Sequence, residues 1–425
     1  RQRQMCIRDS IYMRIIQKLA LLACITFLTS SISNAQTETE FLNQIGIVDS
    51  VYSSILKESR EIYIHVPETY NPDGKTKYPV AYILDGELFL TPLTVVNQFY
   101  TGGFMPEMVL VGISNSKNRL RDLTTSPVAE LYGMPASEKN GEAENFTQFI
   151  EKELIPFVEK NYPVTSYRTL IGHSYGGLFT MYTLMYHSEL FENYLAIDPS
   201  LDWDNQKILK DSKTLLAKKD FSSKSLFMSL NGHLHLEKTS VTIDNVLDDT
   251  SDFTLFSRSN LLMANEITKN SKNGLSFIWK FYPNDLHGTI VLPSLMDGLI
   301  SVFDWYQTKN FDKINSPETS TSELSQIISE RAEKLEKHFG YTEPPFPEEI
   351  LNVLGYMSMD REQVEKAKMY FEFAIKYYPE SPNVYDSMAD FYERQQDKKN
   401  ALKFVTKAFE LSGSEYHKQR MEDFK

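Results

Sequence analysis

The pentapeptide Gly172-His173-Ser174-Tyr175-Gly176 constrains this chain more than any other stretch of it. It lies between the short apolar run Tyr167-Arg168-Thr169-Leu170-Ile171 and the apolar segment from Leu178 to Phe191, so it predicts a strand, a tight turn and a helix in that order. A serine on such a turn is held at a strained backbone geometry. Bulky flanking residues would block the crossing of strand and helix, and Gly172, Gly176 and Gly177 leave that crossing open. The expected consequence is a nucleophile elbow that lifts the Ser174 hydroxyl out of a sheet.

A serine nucleophile needs a base, which in this topology follows it in the chain, with an acid between them. Only eight histidines are available. His65 and His173 precede Ser174, His187 falls on the helix leaving the elbow, and His338 and His417 fall in a helical tail. Of His233, His235 and His287, the last sits best. It follows Leu275 to Tyr282, which alternates as a strand, and the loop Pro283-Asn284-Asp285-Leu286. That places His287 at a strand's carboxyl end, where open α/β sheets bind ligands.

The acid is expected in the loop after the strand Ser225 to Leu230. Glu237 is the first carboxylate reached, with Asp248, Asp249 and the earlier Asp198 as alternatives. His233, His235 and Glu237 also alternate onto one side of an extended segment, a weak metal-ligand pattern, and neither a metal nor a cofactor is expected. For the oxyanion of a tetrahedral intermediate, the donors expected are the amide of Tyr175 and those of Gly86 or Glu87, in the loop after the strand Pro79 to Leu84.

Several ordered segments together carry a resemblance. They are Tyr78 to Gly86, Arg119-Leu120-Arg121-Asp122-Leu123-Thr124, the elbow Ile171 to Leu178, Asp198 to Asp204, and His287-Gly288. Over about residues 45 to 308 the chain resembles the putative esterase family of α/β-hydrolases, which includes siderophore, S-formylglutathione and feruloyl esterases. The resemblance implies Ser174 as nucleophile, His287 as base, an oxyanion region at Gly86, Glu87 and Tyr175, and Arg121 near the substrate pocket. Relatives usually read Ser-Pro-Ser-Leu-Trp-Trp where this chain has Asp198-Pro199-Ser200-Leu201-Asp202-Trp203, which puts an extra carboxylate near the site.

A chain of 425 residues predicts more than one domain. Residues 1–35 read as a leader: 1–12 as non-native sequence ahead of Met13, and 13–35 as a signal peptide cut after Ala35, with lipoprotein processing at Cys24 as the alternative. Both cysteines, Cys6 and Cys24, fall there. The leader holds five basic groups and one acidic, leaving 39 Lys plus Arg against 56 Asp plus Glu, a net charge of −17 that argues against nucleic-acid partners. No other segment is apolar enough to span a bilayer, so a periplasmic or secreted address is expected.

Residues 36–308 predict the α/β-hydrolase domain, a mostly parallel sheet with helices on both faces. A linker is expected at 309–320 and an all-α repeat domain at 321–425. In the tail, Glu365 to Ala374 aligns with Lys399 to Ala408 at a shift of 34 residues, which resembles tetratricopeptide repeats and suggests a protein partner. Asn383 is the expected cap of a helix from Val384 to Arg394. The function expected is ester hydrolysis of a small molecule through an acyl-enzyme. A non-catalytic scaffold and an acyltransferase or peptidase using the same triad are the alternatives.

Overall fold

The computed structural model describes residues 45–72, 76–101, 103–131 and 133–424. The expected leader lies outside these residues. Eight strands form the main sheet in the order β1-β2-β4-β3-β7-β8-β9-β10. They are β1 (Ile47–Ser53), β2 (Glu58–His65), β3 (Tyr78–Leu84), β4 (Val109–Ile113), β7 (Val164–His173), β8 (Asn193–Ile197), β9 (Ser225–Asn231) and β10 (Ser276–Tyr282). Only the β1/β2 and β2/β4 pairings are antiparallel; the rest are parallel. A separate two-stranded ribbon pairs β5 (Glu130–Leu131) with β6 (Met134–Pro135). Strands β3 and β4 are buried along their whole lengths, as a sheet covered on both faces requires.

The covering helices are α1 (Gly86–Tyr100), α2 (Arg119–Leu123), α3 (Ala143–Phe149), α4 (Ile155–Asn161), α5 (Tyr175–Tyr186), α6 (Trp203–Lys218), α7 (Leu255–Lys269) and α8 (Val291–Val302). Phe146, Phe149, Ile150, Leu154 and Val158 are all buried, although a π turn at Ile150–Leu154 separates α3 from α4. Two apolar clusters, one on each face of the sheet, hold the layers together. Fully burying one such side chain stabilises the fold by about 1.5–3 kcal/mol.

The segment expected as a linker contains a short helix, α9 (Phe311–Asn315), whose Ile314 is buried with tail residues. Beyond it come α10 (Thr321–Phe339), α11 (Glu348–Asp360), α12 (Val364–Tyr377), α13 (Pro382–Arg394), α14 (Lys398–Ser412) and α15 (Glu415–Asp423). The starts of α11 and α13, and of α12 and α14, are each 34 residues apart, and Tyr356 bonds its counterpart position Asp390 across that interval. Small residues sit where helices touch: a Cβ on Gly355 would come within 2.5 Å of the Phe371 ring, and Ala367, Ala374, Ala389, Ala401 and Ala408 are fully buried. Asn383 does not cap α13. Ser381 holds that position, and Asn383 Nδ2 donates to Glu348 Oε1 at 2.9 Å.

Helix α10 is shared between the two halves. Its Leu324, Ile327 and Ile328 pack with the tail, whereas Leu335 and Phe339 join the hydrolase core. Arg331 ties the junction by donating to the carbonyls of Tyr306 and Pro345, each at 2.6 Å. Among the described residues, no helix is long and apolar enough to cross a membrane.

Candidate active site

The elbow forms where the sequence places it. Strand β7 ends at His173, α5 begins at Tyr175, and Ser174 between them holds φ 61° and ψ −116°. This conformation costs a non-glycine residue about 1–3 kcal/mol and persists only where its surroundings over-determine it. Here Ser174 N donates to the Ile197 carbonyl at 3.0 Å, and the Ser174 carbonyl accepts from Ser200 N at 3.0 Å and Leu178 N at 2.9 Å. A Cβ on Gly172 would meet the Gly176 carbonyl oxygen at 2.2 Å, so that glycine is obligatory. Gly176 is less restricted, since its nearest neighbour would be at an ordinary 3.4 Å. The Ser174 hydroxyl lies 3.3 Å from Ser200 Oγ.

His287 stands on the loop after β10, and its Nδ1 lies 2.6 Å from Asp198 Oδ2. Asp198, fully buried, directly follows β8 at φ 45°. Its carboxylate also accepts from Asn231 N at 3.1 Å and Asn231 Nδ2 at 2.6 Å. The carboxylate that meets His287 is thus one strand away from where sequence order put it. At the end of β9, where a carboxylate was expected, Asn231 instead donates into Asp198.

Glu237 is exposed, and its backbone N–H donates to His235 Nδ1 at 2.9 Å. Asp248 is exposed in a single 3-10 turn. Asp249 caps its own turn, accepting from Ser251 N and Oγ and from Thr254 Oγ1, contacts that pull its carboxyl down to about 2. Among the described residues neither pairs with His287, and the ligand atoms of His233, His235 and Glu237 are not gathered into one cluster. His235 is buried, its Nδ1 already accepting from two backbone amides.

His173 packs behind His287. Its ring lies 4.5 Å from that of His287 between centroids, and its Nε2 donates to the His287 carbonyl at 2.8 Å. Burial, reinforced by the neighbouring His287, pushes His173 down to about 4, so it stays neutral. Donor atoms of His173, Asp198 and His287 lie within 4.8 Å of one another, the one set among the described residues compact enough for a metal ion. The hydrogen bonds just described already occupy them.

The region expected to hold an oxyanion is built on the neighbouring strand. Asp85 takes φ 52° ahead of α1, and a Cβ on Gly86 would strike the Gly112 backbone at 2.5 Å, so only glycine lets α1 start this close to β4. Gly86 and Glu87 open α1 and Tyr175 opens α5, so both sets of first-turn amides point out of helix N-termini.

Sequence reasoning missed what joins them. Arg119 donates through Nε and Nη2 to the two carboxylate oxygens of Asp85, at 2.8 and 2.9 Å, and through Nη2 to the His173 carbonyl at 3.3 Å. One guanidinium therefore locks the α1 loop to the elbow. Arg121, the arginine expected at the pocket, instead pairs with Glu58 at 2.7 and 3.0 Å and with Asp122 at 2.8 Å. The hydrogen bond from Arg121 is the main influence holding Glu58 below its ordinary value. The two arginines sit two positions apart on one short helix and so point to different sides. Of this segment, Arg119 is thus the arginine that reaches the elbow, and Arg121 is held in ion pairs with Glu58 and Asp122.

This site can be set beside known proteins. A family model described as "Putative esterase" matches residues 53–235. The ferri-bacillibactin esterase BesA of Bacillus subtilis is 33% identical over 171 residues, which is 36% of this chain and 58% of that protein. The first curated relatives are matched over 58%, 34% and 56% of their own lengths, so the similarity covers the elbow half rather than whole proteins. Among solved structures, an IroE-like serine hydrolase from Shewanella oneidensis superposes with a TM-score of 0.62 at 28% identity, covering 78% of this chain and 99% of that one. An uncharacterised protein from Capnocytophaga ochracea shares the fold alone, with a TM-score of 0.57 at 19% identity over 89% of this chain and 99% of the other, an overlap long enough to enter the helical tail. Through its α/β-hydrolase half, the chain is similar to the putative esterase family and to siderophore esterases.

Proposed function

We propose that this chain is an exported serine carboxylic-ester hydrolase of the siderophore-esterase type, working through an acyl-enzyme on Ser174. The observation that carries this is the strained Ser174 on its elbow, with His287 held by Asp198 at 2.6 Å at the same sheet edge. Asp198 fixes the tautomer with the proton on Nδ1, which leaves Nε2 as the base. In acylation, Ser174 Oγ bonds to the ester carbonyl carbon and its proton passes to His287 Nε2. The oxyanion is met by the amides of Tyr175 and of Gly86 or Glu87. When the tetrahedral intermediate collapses, the ester C–O bond breaks and the proton leaves on the alcohol. Water then attacks the acyl-enzyme by the same route in reverse, releasing the acid and Ser174.

Because relatives are named for siderophore esters, those are the first substrates to try. The tail is read as two tetratricopeptide-like units serving as a packing or partner module, and export rests on the leader in the sequence. The deciding experiment incubates the protein with a fluorophosphonate probe and a short ester panel. Wild type is expected to label at Ser174 and turn esters over, and Ser174→Ala to do neither while melting as wild type does. Turnover retained by that variant would exclude the serine mechanism.

A further inference from the structure

The loop after β8 brings two side chains to the elbow. Asp198 meets His287, and two residues further on the Ser200 hydroxyl lies 3.3 Å from that of Ser174. This second contact is held from several sides. Ser200 N donates to the Ser174 carbonyl at 3.0 Å, and the Ser200 carbonyl accepts from Trp203 N at 3.2 Å. The Pro199 carbonyl accepts from Asn260 Nδ2 on α7 at 2.8 Å. On the opposite side, a Cβ on Gly177 would come within 2.9 Å of Pro199, so α5 packs directly on the same loop. Asp198, Pro199 and Ser200 are therefore fixed between the elbow helix and α7.

Ser200 is only 7% exposed, so its hydroxyl needs a partner inside the protein. Among the described residues, that partner is Ser174. A serine hydroxyl has one hydrogen to donate and two lone pairs that accept, so in the free protein either oxygen of the pair can be the donor. Acylation removes the choice. Once Ser174 Oγ is bonded to an acyl carbon it carries no hydrogen, and Ser200 alone can donate.

From this geometry we propose that Ser200 is a catalytic residue of deacylation, donating a hydrogen bond to Ser174 Oγ as that oxygen leaves the acyl carbon. The proposal rests on the reading of Ser174 as the acylated nucleophile. After water has added to the acyl carbon, the C–Oγ bond breaks, its electron pair passes to Ser174 Oγ, and the proton arrives from His287 Nε2. Ser200 keeps its own proton throughout. Its hydrogen bond strengthens as negative charge gathers on Ser174 Oγ, and only such a difference between ground and transition state accelerates a step. In the acyl-enzyme, Oγ is the alkoxy oxygen of an ester and accepts poorly, so the gain on leaving is large. In acylation the same oxygen starts as a free hydroxyl and already accepts well, so the gain is smaller. The effect therefore falls mainly on one half of the cycle.

The test follows p-nitrophenyl acetate at saturation, with acid quench and intact mass spectrometry reading the fraction of chain that carries an acetyl group. Dividing kcat by that fraction gives the deacylation rate constant, and dividing it by the remaining fraction gives the acylation constant. In Ser200→Ala, deacylation should fall about tenfold, as expected for one hydrogen bond lost to a developing charge, and acylation by less than about threefold. Ser200→Cys keeps the size of the side chain but offers a weak donor, so its deacylation constant should lie nearer that of Ser200→Ala than that of wild type. Losses that match in the two constants would mean that Ser200 only supports the elbow, and would overturn the proposal. So would a deacylation constant like that of wild type in either variant. Absence of any acetyl adduct or fluorophosphonate label at Ser174 in wild type would instead overturn the serine-hydrolase reading beneath it, so the two failures are distinguishable.

Discussion

The two ends of the parallel sheet are built on opposite principles. At the carboxyl ends of β3, β7 and β8, the next residue in each case is a polar one at positive φ: Asp85, Ser174 and Asp198. Each is pinned by hydrogen bonds from a neighbouring strand or loop. At the amino end of β7 lies a relaxed aromatic stack, in which Tyr167 meets Phe303, Trp305 and Phe339 at 6.1, 6.1 and 5.1 Å. Trp305 also stacks on His338 at 4.1 Å. The first end stores strain around groups that could react; the second uses apolar area to seat a helix of the tail. Chemistry and attachment are thereby kept on opposite rims, and each can be disturbed without the other.

The largest effect should come from the acid. Asp198→Asn leaves the His287 ring without its anionic partner, and kcat should fall by about 10³-fold or more. Glu237→Gln, altering an exposed side chain, should stay within about twofold of wild type. Steady-state turnover of one small ester, with fluorophosphonate labelling as a check on Ser174, measures both. Comparable losses in the two variants would return the acid to the loop after β9.

This contrast also shows where sequence is informative. The elbow was legible because its signal is contiguous: an apolar strand, a glycine-flanked serine and an apolar helix all lie within one run. His287 was legible because a strand precedes it. Asp198 was weighed and ranked behind Glu237, because the choice depends on β8 and β9 being neighbours and on Asn231 turning inward. Neither is a property of local sequence. Arg119 was missed for a similar reason, since the spacing of two arginines on a short helix does not say which faces the sheet. Strand β1 was missed because it is an edge strand with mostly exposed residues and little apolar alternation. The tail's period was plain, whereas the division of α10 between two cores was not, because its pattern is equally amphipathic along its length.

Next in size is the clamp between the oxyanion loop and the elbow. Arg119→Ala leaves Asp85, a buried carboxylate, without its partner, and should destabilise the protein by about 3 kcal/mol. It should lower kcat more than it raises KM if the clamp sets the position of the α1 amides. Arg119→Lys offers a single point charge and should recover stability better than rate, because an ammonium cannot hold both carboxylate oxygens and the His173 carbonyl. Denaturant melts and kinetics on the two variants separate these roles.

At the other rim, Phe339→Ala should cost about 3 kcal/mol by opening a cavity among Tyr167, Trp305 and Tyr341, and Trp305 fluorescence should report it. Ester turnover per folded molecule is expected to be unchanged. Deleting residues 321–425 should be harsher than that, because it strips Leu335 and Phe339 from the hydrolase core, whereas cutting after α10 spares them. A soluble, fully stable protein lacking residues 321–425 would show that α10 is dispensable to the hydrolase.

The smallest effect concerns Glu343, in the groove between the start of β7 and helices α12 and α13. Burial alone pushes its carboxyl up to about 7. The folded state therefore holds a proton that the unfolded chain releases near 4.5, the ordinary value for this group. Between those two values the native state binds more protons, so stability falls as pH rises from about 4.5 through 7 and levels off above. Glu343→Gln removes that dependence. The variant should match wild type at pH 4.5 and exceed it by about 2 kcal/mol at pH 8, at the rate of about 1.4 kcal/mol for each unit and with part of the shift lost to the groove's open side. Urea melts at the two pH values read this directly. Because the group lies on the attachment rim, the pH dependence of ester turnover should be the same in both proteins; a matching shift in the pH–rate profile would show that the two rims are coupled after all.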